Sequence, residues 1–169
     1  MRAIKAILFD LDGTLIDTHL IEPLRRARQW RQCVKTFHRT ECFPGILDLL
    51  SELARLDVKT AVVTTSVSYY AKAICNYHRI RYDALVAYHD ARPKPAPDPF
   101  LKALEHLDVT SEEAIGIGDD LPDRIGLRTA GVKALGAGWN PAFVDDGNWD
   151  GILKKPTDLV GILTNRRCA

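Results

Sequence analysis

The sequence predicts an α/β protein in which a parallel sheet is covered by helices on both faces. Apolar segments rich in strand-forming residues recur at 6–11, 60–65, 84–87, 114–117 and 132–135, and helical patterns fall between most of them. Strands that alternate with helices in this way are typical of a parallel sheet. The length of 169 residues fits a single domain.

The helices are predicted from apolar residues that recur on one face. Three segments show this spacing, and a fourth is interpreted as a short helix that ends in a glycine. These segments are 45–56, 67–78, 97–107 and 121–131. Thr110 and Glu113 resemble a capping box, but an apolar strand begins at Ala114, so we expect only a turn between them.

Composition and charge are those of an ordinary globular protein. Hydrophobic residues make up 46% of the chain and charged residues 27%, with a formal net charge of +1. The whole-molecule charge therefore gives no indication of a nucleic-acid partner or an anionic membrane. The apolar run near the N-terminus is interrupted by Lys5 and ends at Asp10, which is too short for a signal segment or a membrane span. We expect no membrane partner.

The cysteines favour a reducing compartment. No pair has the C-x-x-C spacing of a zinc site or a redox pair. A disulfide framework is the alternative, but free thiols in the cytoplasm fit better. The four residues concerned are Cys33, Cys42, Cys75 and Cys168.

Polar residues that could take part in catalysis or ligand binding lie at the ends of the first four predicted strands or in the loops after them. Ligands of open α/β sheets bind beyond the carboxyl ends of the strands, so these residues are expected to meet at one edge. In chain order they are Asp10, Asp12, Thr64, Thr65, Lys94, Asp119 and Asp123. Each group taken alone has an ordinary explanation as a turn, a strand residue or a surface lysine, but coincidence is a poor explanation for all of them in order.

This set of side chains suits phosphoryl chemistry. Carboxylates from separate strands would repel one another unless a cation lies among them, and oxygen-only ligands favour Mg²⁺. A lysine and a hydroxyl residue add the means to hold a doubly charged anion such as phosphate. One carboxylate could attack phosphorus, and a second two residues later could transfer protons.

Four motifs resemble those of the haloacid dehalogenase superfamily of phosphatases and phosphotransferases, most closely its phosphoglycolate phosphatase-like subgroup. In chain order they read "FDLDGTLIDT", "AVVTTS", "KPAPDPF" and "IGIGDDLPD". The resemblance extends from about Lys5 to Gly138. It implies a three-layer α/β/α, Rossmann-like fold with the five strands in the order 5-4-1-2-3.

The resemblance also implies a role for each acidic residue. Asp10 matches the nucleophile and a magnesium ligand, and Asp12 matches the general acid/base, whose backbone carbonyl would also bind the metal. Asp119 matches the third protein ligand of the ion. Asp123 matches an acidic residue that supports the ion or reaches it through water.

The remaining motif residues are implied to hold the substrate. Thr64 matches the hydroxyl that binds phosphoryl oxygens, and the backbone N–H of Thr65 would lie nearby. Lys94 matches the residue that neutralises the nucleophile and the phosphate. Asp12 further favours phosphoryl chemistry over carbon–halogen hydrolysis, because the dehalogenases lack this second carboxylate and a halide leaves without a proton.

Residues 18–42 differ from the larger helical caps of related enzymes. The segment is too short for four or five helices, and we expect a reduced cap with one helix from about His19 to Phe37. Its apolar residues form two stripes, and four basic residues lie on the remaining face: Arg25, Arg28, Lys35 and Arg39. The first interpretation is a helix that packs on the core with a solvated basic side. In the second, one stripe contacts another subunit or a partner, and the basic face attracts an anionic substrate. A homo-oligomer would then form through the helix between Leu20 and Phe37.

The leading interpretation is a Mg²⁺-dependent phosphatase that hydrolyses a phosphate monoester through phospho-Asp10. A phosphotransferase and a non-catalytic binding module are the alternatives. A phosphorylated small molecule is the expected substrate, and the reduced cap leaves room for a bulky one. The last thirty or so residues carry no usable motif.

Overall fold

We describe residues 3–165 of the chain in a computed structural model, leaving out the side chain of Asn165. Cys168, one of the predicted free thiols, lies outside the described residues. The three other cysteines, Cys33, Cys42 and Cys75, form no disulfide in the structure. Within residues 3–165, no helix is both long enough and apolar enough to cross a membrane.

The described part of the chain builds one large sheet of six parallel strands and a small antiparallel pair. The strands are β1 (Ala6–Phe9), β2 (Ile16–Asp17), β3 (Glu41–Cys42), β4 (Lys59–Val63), β5 (Ala84–Val86), β6 (Ala114–Gly118), β7 (Lys133–Ala137) and β8 (Ile152–Leu153). The large sheet has the order β5-β4-β1-β6-β7-β8. The five predicted strands correspond, in chain order, to β1, β4, β5, β6 and β7, so the predicted order 5-4-1-2-3 is β7-β6-β1-β4-β5 and is confirmed. β8 adds a sixth strand at the edge beside β7.

Helices cover both faces of the large sheet, which confirms the three-layer fold. They are α1 (Glu22–Arg26), α2 (Trp30–Lys35), α3 (Ile46–Arg55), α4 (Ser68–Tyr77), α5 (Asp98–Leu107), α6 (Leu121–Thr129) and α7 (Asp158–Asn165). On one face, Ile7 and Phe9 of β1 share a core with α3, α4 and α7. On the other face, Ala6 and Leu8 share a core with α5 and α6.

The central strand explains why its sequence is apolar without alternation. All four residues of β1 are buried, because side chains at successive positions point to opposite faces and each face is covered by helices. On α3 the predicted apolar face is also confirmed, since Ile46, Leu49 and Leu53 are fully buried. The predicted turn at Thr110 is a short 3-10 helix closed by a capping box with Glu113.

The insertion after β2 differs from the single helix expected between His19 and Phe37. The chain forms a 3-10 turn, α1, α2 and a second 3-10 turn before β3. The break lies at Arg28, whose φ of 54° is left-handed and cannot continue a helix. The two apolar stripes of the sequence thus belong to two helices rather than to one.

The insertion packs on the core, as the first of the two interpretations expects. Ile21, Cys33 and Phe37 are buried in the same core as α3 and α4, whereas Leu20 is about half exposed at 49%. β3 then pairs with β2, so the insertion leaves and re-enters the domain at one place. Homo-oligomer formation through this segment stays a prediction.

Candidate active site

The candidate site lies at the carboxyl end of β1, where the chain turns sharply. Asp10 follows β1 directly, and its N–H donates to the carbonyl of Ile117 on β6 at 2.9 Å. Gly13 has a φ of +93°, and a Cβ there would lie 2.4 Å from a carboxylate oxygen of Asp119. A glycine is required at this position because the backbone is left-handed and passes against the acidic residue of the neighbouring strand.

Three carboxylates meet at this edge of the sheet. Asp10 comes from β1, Asp119 follows β6, and Asp123 lies in the first turn of α6. One oxygen from each lies within 4.8 Å of the others. Sequence reasoning placed Asp123 in support of a metal ion, and the structure places its carboxylate in the same group as the other two.

Lys94 joins this carboxylate group from the loop after β5. Its Nζ donates to Asp10 Oδ1 at 2.6 Å and to Asp123 Oδ1 at 2.5 Å. The Lys94 side chain is only 3% exposed. Burial opposes its charge, but the carboxylates of Asp10 and Asp123 outweigh that effect and raise its pKa. The lysine therefore stays charged, and it fixes Asp10 in position.

One lysine does not neutralise three carboxylates, so negative charge remains in excess. The pKa values of the three acids are raised. Burial, with the charge of Asp123 added, raises the pKa of Asp10 to about 7. Burial and the charge of Asp10 raise that of Asp119 to about 8. Burial raises that of Asp123 to about 6, although Lys94 acts in the opposite direction.

The group fits a hard divalent cation such as Mg²⁺. All of its donors are carboxylate oxygens, which are the ligands that this ion prefers. A cation among them would favour the charged forms and so oppose the burial and the repulsion that raise the three pKa values. Asp10, Asp119 and Asp123 are the residues that could hold it.

This electrostatic excess predicts how stability depends on pH without a divalent cation. The three acids bind protons more tightly in the folded chain than in the unfolded chain, where Asp has a pKa near 3.8. The free energy of unfolding should therefore fall as pH rises from about 5 to about 8. We expect the melting temperature in EDTA to drop by roughly 5 °C across this range. An Asp119→Asn variant should show a smaller drop, and a melting temperature that rises with pH in the unmodified chain would contradict this explanation.

Asp119 is supported by Thr14, which belongs to the first motif, and by Asn140, which lies outside the four motifs. Thr14 Oγ1 donates to Asp119 Oδ1 at 3.0 Å, and Asn140 Nδ2 donates to Oδ2 at 3.1 Å. Asn140 also donates to the carbonyl of Gly13 at 2.8 Å, and Trp139 Nε1 donates to that of Thr14 at 2.9 Å. Trp139 and Asn140 thus tie the loop after β7 to the turn after β1.

The Asp12 carboxylate has partners of its own, separate from the three-carboxylate group. Its Oδ1 accepts from the Tyr70 hydroxyl at 2.7 Å, and its Oδ2 accepts from Ser66 Oγ at 2.9 Å and pairs with Arg25 Nη1 at 3.1 Å. The side chain is therefore not part of the candidate metal group, and the metal contact predicted for this residue was through its backbone carbonyl. Sequence reasoning did not identify Arg25, Ser66 or Tyr70 as neighbours of Asp12.

Thr64 and Thr65 follow β4, which pairs directly with β1. Thr64 is buried, and its Oγ1 accepts from the N–H of Ser66 at 3.0 Å. Thr65 is exposed. Parallel pairing places both residues at the same edge as Asp10 and Asp12, as the sequence predicted.

Asp120 caps the N-terminus of α6. Its Oδ1 accepts from the N–H of Asp123 at 3.3 Å, while Asp123 Oδ2 accepts from the N–H of Asp120 at 3.5 Å. This reciprocal cap fixes the first turn of α6. It thereby orients Asp123 toward Lys94.

Comparison with known proteins identifies the family. Residues 20–137 match the family described as haloacid dehalogenase-like hydrolase. A putative pyrophosphatase PpaX from Caldanaerobacter subterraneus subsp. tengcongensis is 31% identical, over 81% of this chain and 83% of its own. Pyrophosphatase PpaX from Bacillus cereus is 28% identical, over 96% of this chain and 97% of its own.

Solved structures agree on the fold. A putative phosphoglycolate phosphatase from Lactobacillus plantarum superposes with a TM-score of 0.84 at 20% identity, over 95% of this chain and all of that one. CbbY from Rhodobacter sphaeroides in complex with phosphate gives 0.79 at 24% identity, over 92% of this chain and 96% of that one. The chain belongs to the haloacid dehalogenase-like hydrolases, and it is a hydrolase by family.

Proposed function

We propose that the protein is a Mg²⁺-dependent phosphatase that hydrolyses phosphorylated small molecules through a phospho-Asp10 intermediate. The observation that carries this proposal is the contact of Lys94 with Asp10 at 2.6 Å inside the group formed with Asp119 and Asp123. A buried carboxylate held in one orientation beside a cation-binding group is suited to attack an anionic phosphoryl group.

The reaction needs two proton transfers. In the first half, an Asp10 oxygen attacks phosphorus, the bond to the leaving oxygen breaks with its electron pair, and that oxygen takes a proton from Asp12. In the second half, water gives a proton to Asp12 and attacks phosphorus, so that the bond to Asp10 breaks and phosphate leaves. Asp12 is suited to this role because Ser66 and Tyr70 fix its carboxylate.

The other residues bind and orient. Lys94 neutralises charge on Asp10 and on the phosphoryl group, and Thr64 and Thr65 lie at the sheet edge where the phosphoryl oxygens would be held. Mg²⁺ would be held by the carboxylates of Asp10, Asp119 and Asp123 and by the backbone carbonyl of Asp12. When bound, the ion supplies positive charge against the phosphoryl oxygens.

Relatives support a small phosphorylated substrate. The curated relatives are named pyrophosphatases, and a structural neighbour is named a putative phosphoglycolate phosphatase. Both names describe attack on a phosphoryl group of a small anion. We propose the same chemistry for this chain.

We assign residues 18–42 as a reduced cap on this site. The ring of Trp30 lies 5.2 Å from that of Tyr70, measured between centroids, and the ring of Phe37 lies 5.7 Å from it. The insertion therefore packs against Tyr70, whose hydroxyl donates to Asp12. Its small size leaves room for a bulky phosphorylated substrate as well as a small one.

Removal of the divalent ion tests this function. We expect turnover of p-nitrophenyl phosphate in Mg²⁺ and a loss of at least about 100-fold in excess EDTA, because the uncompensated carboxylates then repel the phosphate. Added Mg²⁺ should restore the rate. Unchanged activity after exhaustive dialysis against EDTA would refute the metal requirement, and no turnover of any phosphate ester in Mg²⁺ would favour a non-catalytic module.

A further inference from the structure

Arg25 joins the reduced cap to the wall of the candidate site. It lies on α1, and its Nη1 is 3.1 Å from Asp12 Oδ2. The Arg25 side chain is 22% exposed and that of Asp12 is 6% exposed, so the pair is mostly removed from solvent but still borders it. None of the four sequence motifs contains this arginine.

The guanidinium of Arg25 has donor capacity that the protein does not use. Arginine carries five N–H donors, and within the described residues the buried Nε finds no acceptor. The Nε is closed to solvent, so a ligand would reach Arg25 through the 22% of its side chain that is exposed. Burial opposes the charge of Arg25, but the carboxylates of Asp12 and Asp10 hold its pKa above the ordinary value. Arg25 is therefore a charged donor beside the site.

The position of Arg25 relative to Asp12 defines which part of a substrate it can reach. A general acid must lie within hydrogen-bond distance of the leaving oxygen. Since Arg25 contacts the Asp12 carboxylate directly, it lies on the side of the leaving group rather than on the side of Asp119. The transferred phosphoryl group already has Lys94 as its cation.

We propose that Arg25 binds an anionic group on the leaving portion of the substrate and is a specificity-determining residue. This inference rests on the proposed function, because that function places the leaving group at Asp12. The chemical class is a phosphate group joined to a second oxyanion, either another phosphate or a carboxylate close to the bond that breaks. Esters of uncharged alcohols lack the group that Arg25 would bind.

The charges of the insertion favour the same class of ligand. Residues 18–42 contain six Arg and Lys residues and two Glu residues. Arg26 is paired with Glu22 at 2.6 Å, and Arg28 lies over the ring of Tyr88 at 5.0 Å. Arg25 is the member of this basic set that reaches Asp12, so it is the one placed to bind a substrate oxyanion.

The test compares Arg25→Ala with Arg26→Ala, which changes the neighbouring, exposed arginine of the same helix. We expect Arg25→Ala to lower kcat/KM for pyrophosphate or phosphoglycolate by about 10- to 100-fold, since hydrogen bonds to charged groups are worth about 1.5–3 kcal/mol. The loss for ethyl phosphate and p-nitrophenyl phosphate should stay within about 3-fold. Arg26→Ala should leave both classes unchanged. The substrate that suffers the larger loss identifies the second oxyanion as phosphate or carboxylate.

An equal loss for charged and uncharged leaving groups would overturn the proposal, because Arg25 would then act only by supporting Asp12. No loss for either class would overturn it as well. Arg25→Lys keeps the charge and should recover part of the preference for substrates with a charged leaving group. It provides a second test in case Arg25→Ala does not fold.

A binding measurement separates this inference from the catalytic proposal. Calorimetry in Mg²⁺ should show that Arg25→Ala lowers the affinity for methylenediphosphonate or phosphonoacetate by about 10-fold or more. The affinity for methylphosphonate should stay unchanged. This result would support Arg25 even if the chain hydrolysed no phosphate ester. Equal affinities of the Arg25→Ala and Arg26→Ala variants for all three ligands would reject the inference while leaving the hydrolysis data intact.

Discussion

The Asp10→Asn variant is expected to lose phosphatase activity by a factor of at least about 10⁴. The amide has nearly the same shape as the carboxylate, but it lacks the negative charge and the nucleophilic oxygen that the proposed reaction requires. It also removes the charged partner that Lys94 contacts at 2.6 Å. The measurement is kcat for p-nitrophenyl phosphate in Mg²⁺.

The same variant should fold at least as well as the unmodified chain when no divalent ion is present. Asp10 is one of three crowded carboxylates, and burial together with the repulsion from Asp123 raises its pKa. Its neutralisation lowers that repulsion, so the melting temperature in EDTA at about pH 8 should stay equal or rise. Loss of activity with an intact fold would separate a chemical role from a structural one.

Asp57→Asn is the matched control for this substitution. Asp57 is exposed and has a φ of 55°, a conformation that asparagine also tolerates. It should keep the full rate. A purified Asp10→Asn protein that retained more than about 1% of the rate, free of host phosphatase, would exclude Asp10 as the nucleophile.

The Lys94→Met variant is expected to lose both activity and stability. Methionine keeps most of the length of the side chain but leaves Asp10 and Asp123 without their shared cation, which lies 2.6 and 2.5 Å from them. Removal of one partner from a buried ion pair costs about 3–5 kcal/mol, which corresponds to a melting temperature lower by roughly 10 °C. We expect kcat/KM to fall on the order of 10³-fold, because a preorganised charge at the phosphoryl group is lost.

The stability loss in Lys94→Met should depend on pH in a defined direction. Without the lysine, the pKa values of Asp10 and Asp123 rise further, so protonation at about pH 5 removes their uncompensated charge more completely than at about pH 8. The destabilisation should therefore be smaller at the lower pH. Lys72→Met, at an exposed position of α4, is the control and should change neither property. A wild-type melting temperature for Lys94→Met at about pH 8 would contradict the assigned ion pairs.

Sequence patterns predicted the sheet and the residues at its edge for a simple physical reason. Buried parallel strands must be apolar throughout, which makes segments such as 60–65 and 114–117 visible in the sequence. Because parallel strands end at one edge, the amino-acid sequence alone assigns residues as distant in the chain as Asp10, Lys94 and Asp119 to one place.

The environment of the site was less accessible to sequence reasoning. Tyr70 and Arg25 are residues of common types on amphipathic helices. They lie 58 and 13 positions after Asp12 in the chain, so their contacts with it depend on the tertiary fold. Asn140 follows β7 and lies outside the four motifs. Its two hydrogen bonds to Gly13 and Asp119 arise from tertiary packing.

Local backbone conformation explains the other differences. The insertion reads as one helix because its apolar residues keep helical spacing, but Arg28 adopts a left-handed conformation that residue type alone does not indicate. β8 has only two residues, Ile152 and Leu153, which is too short to leave a periodic signal.

Covalent trapping tests the role of Asp10 most directly. Enzyme quenched in acid during turnover and treated with borohydride should carry homoserine at position 10, since borohydride reduces an aspartyl phosphate but not a free carboxylate. Peptide mass spectrometry would locate the change, with the Asp10→Asn protein as the blank. Homoserine at position 10 is the expected result. A trapped phosphoryl group on another side chain, or turnover with none on Asp10, would contradict the central claim.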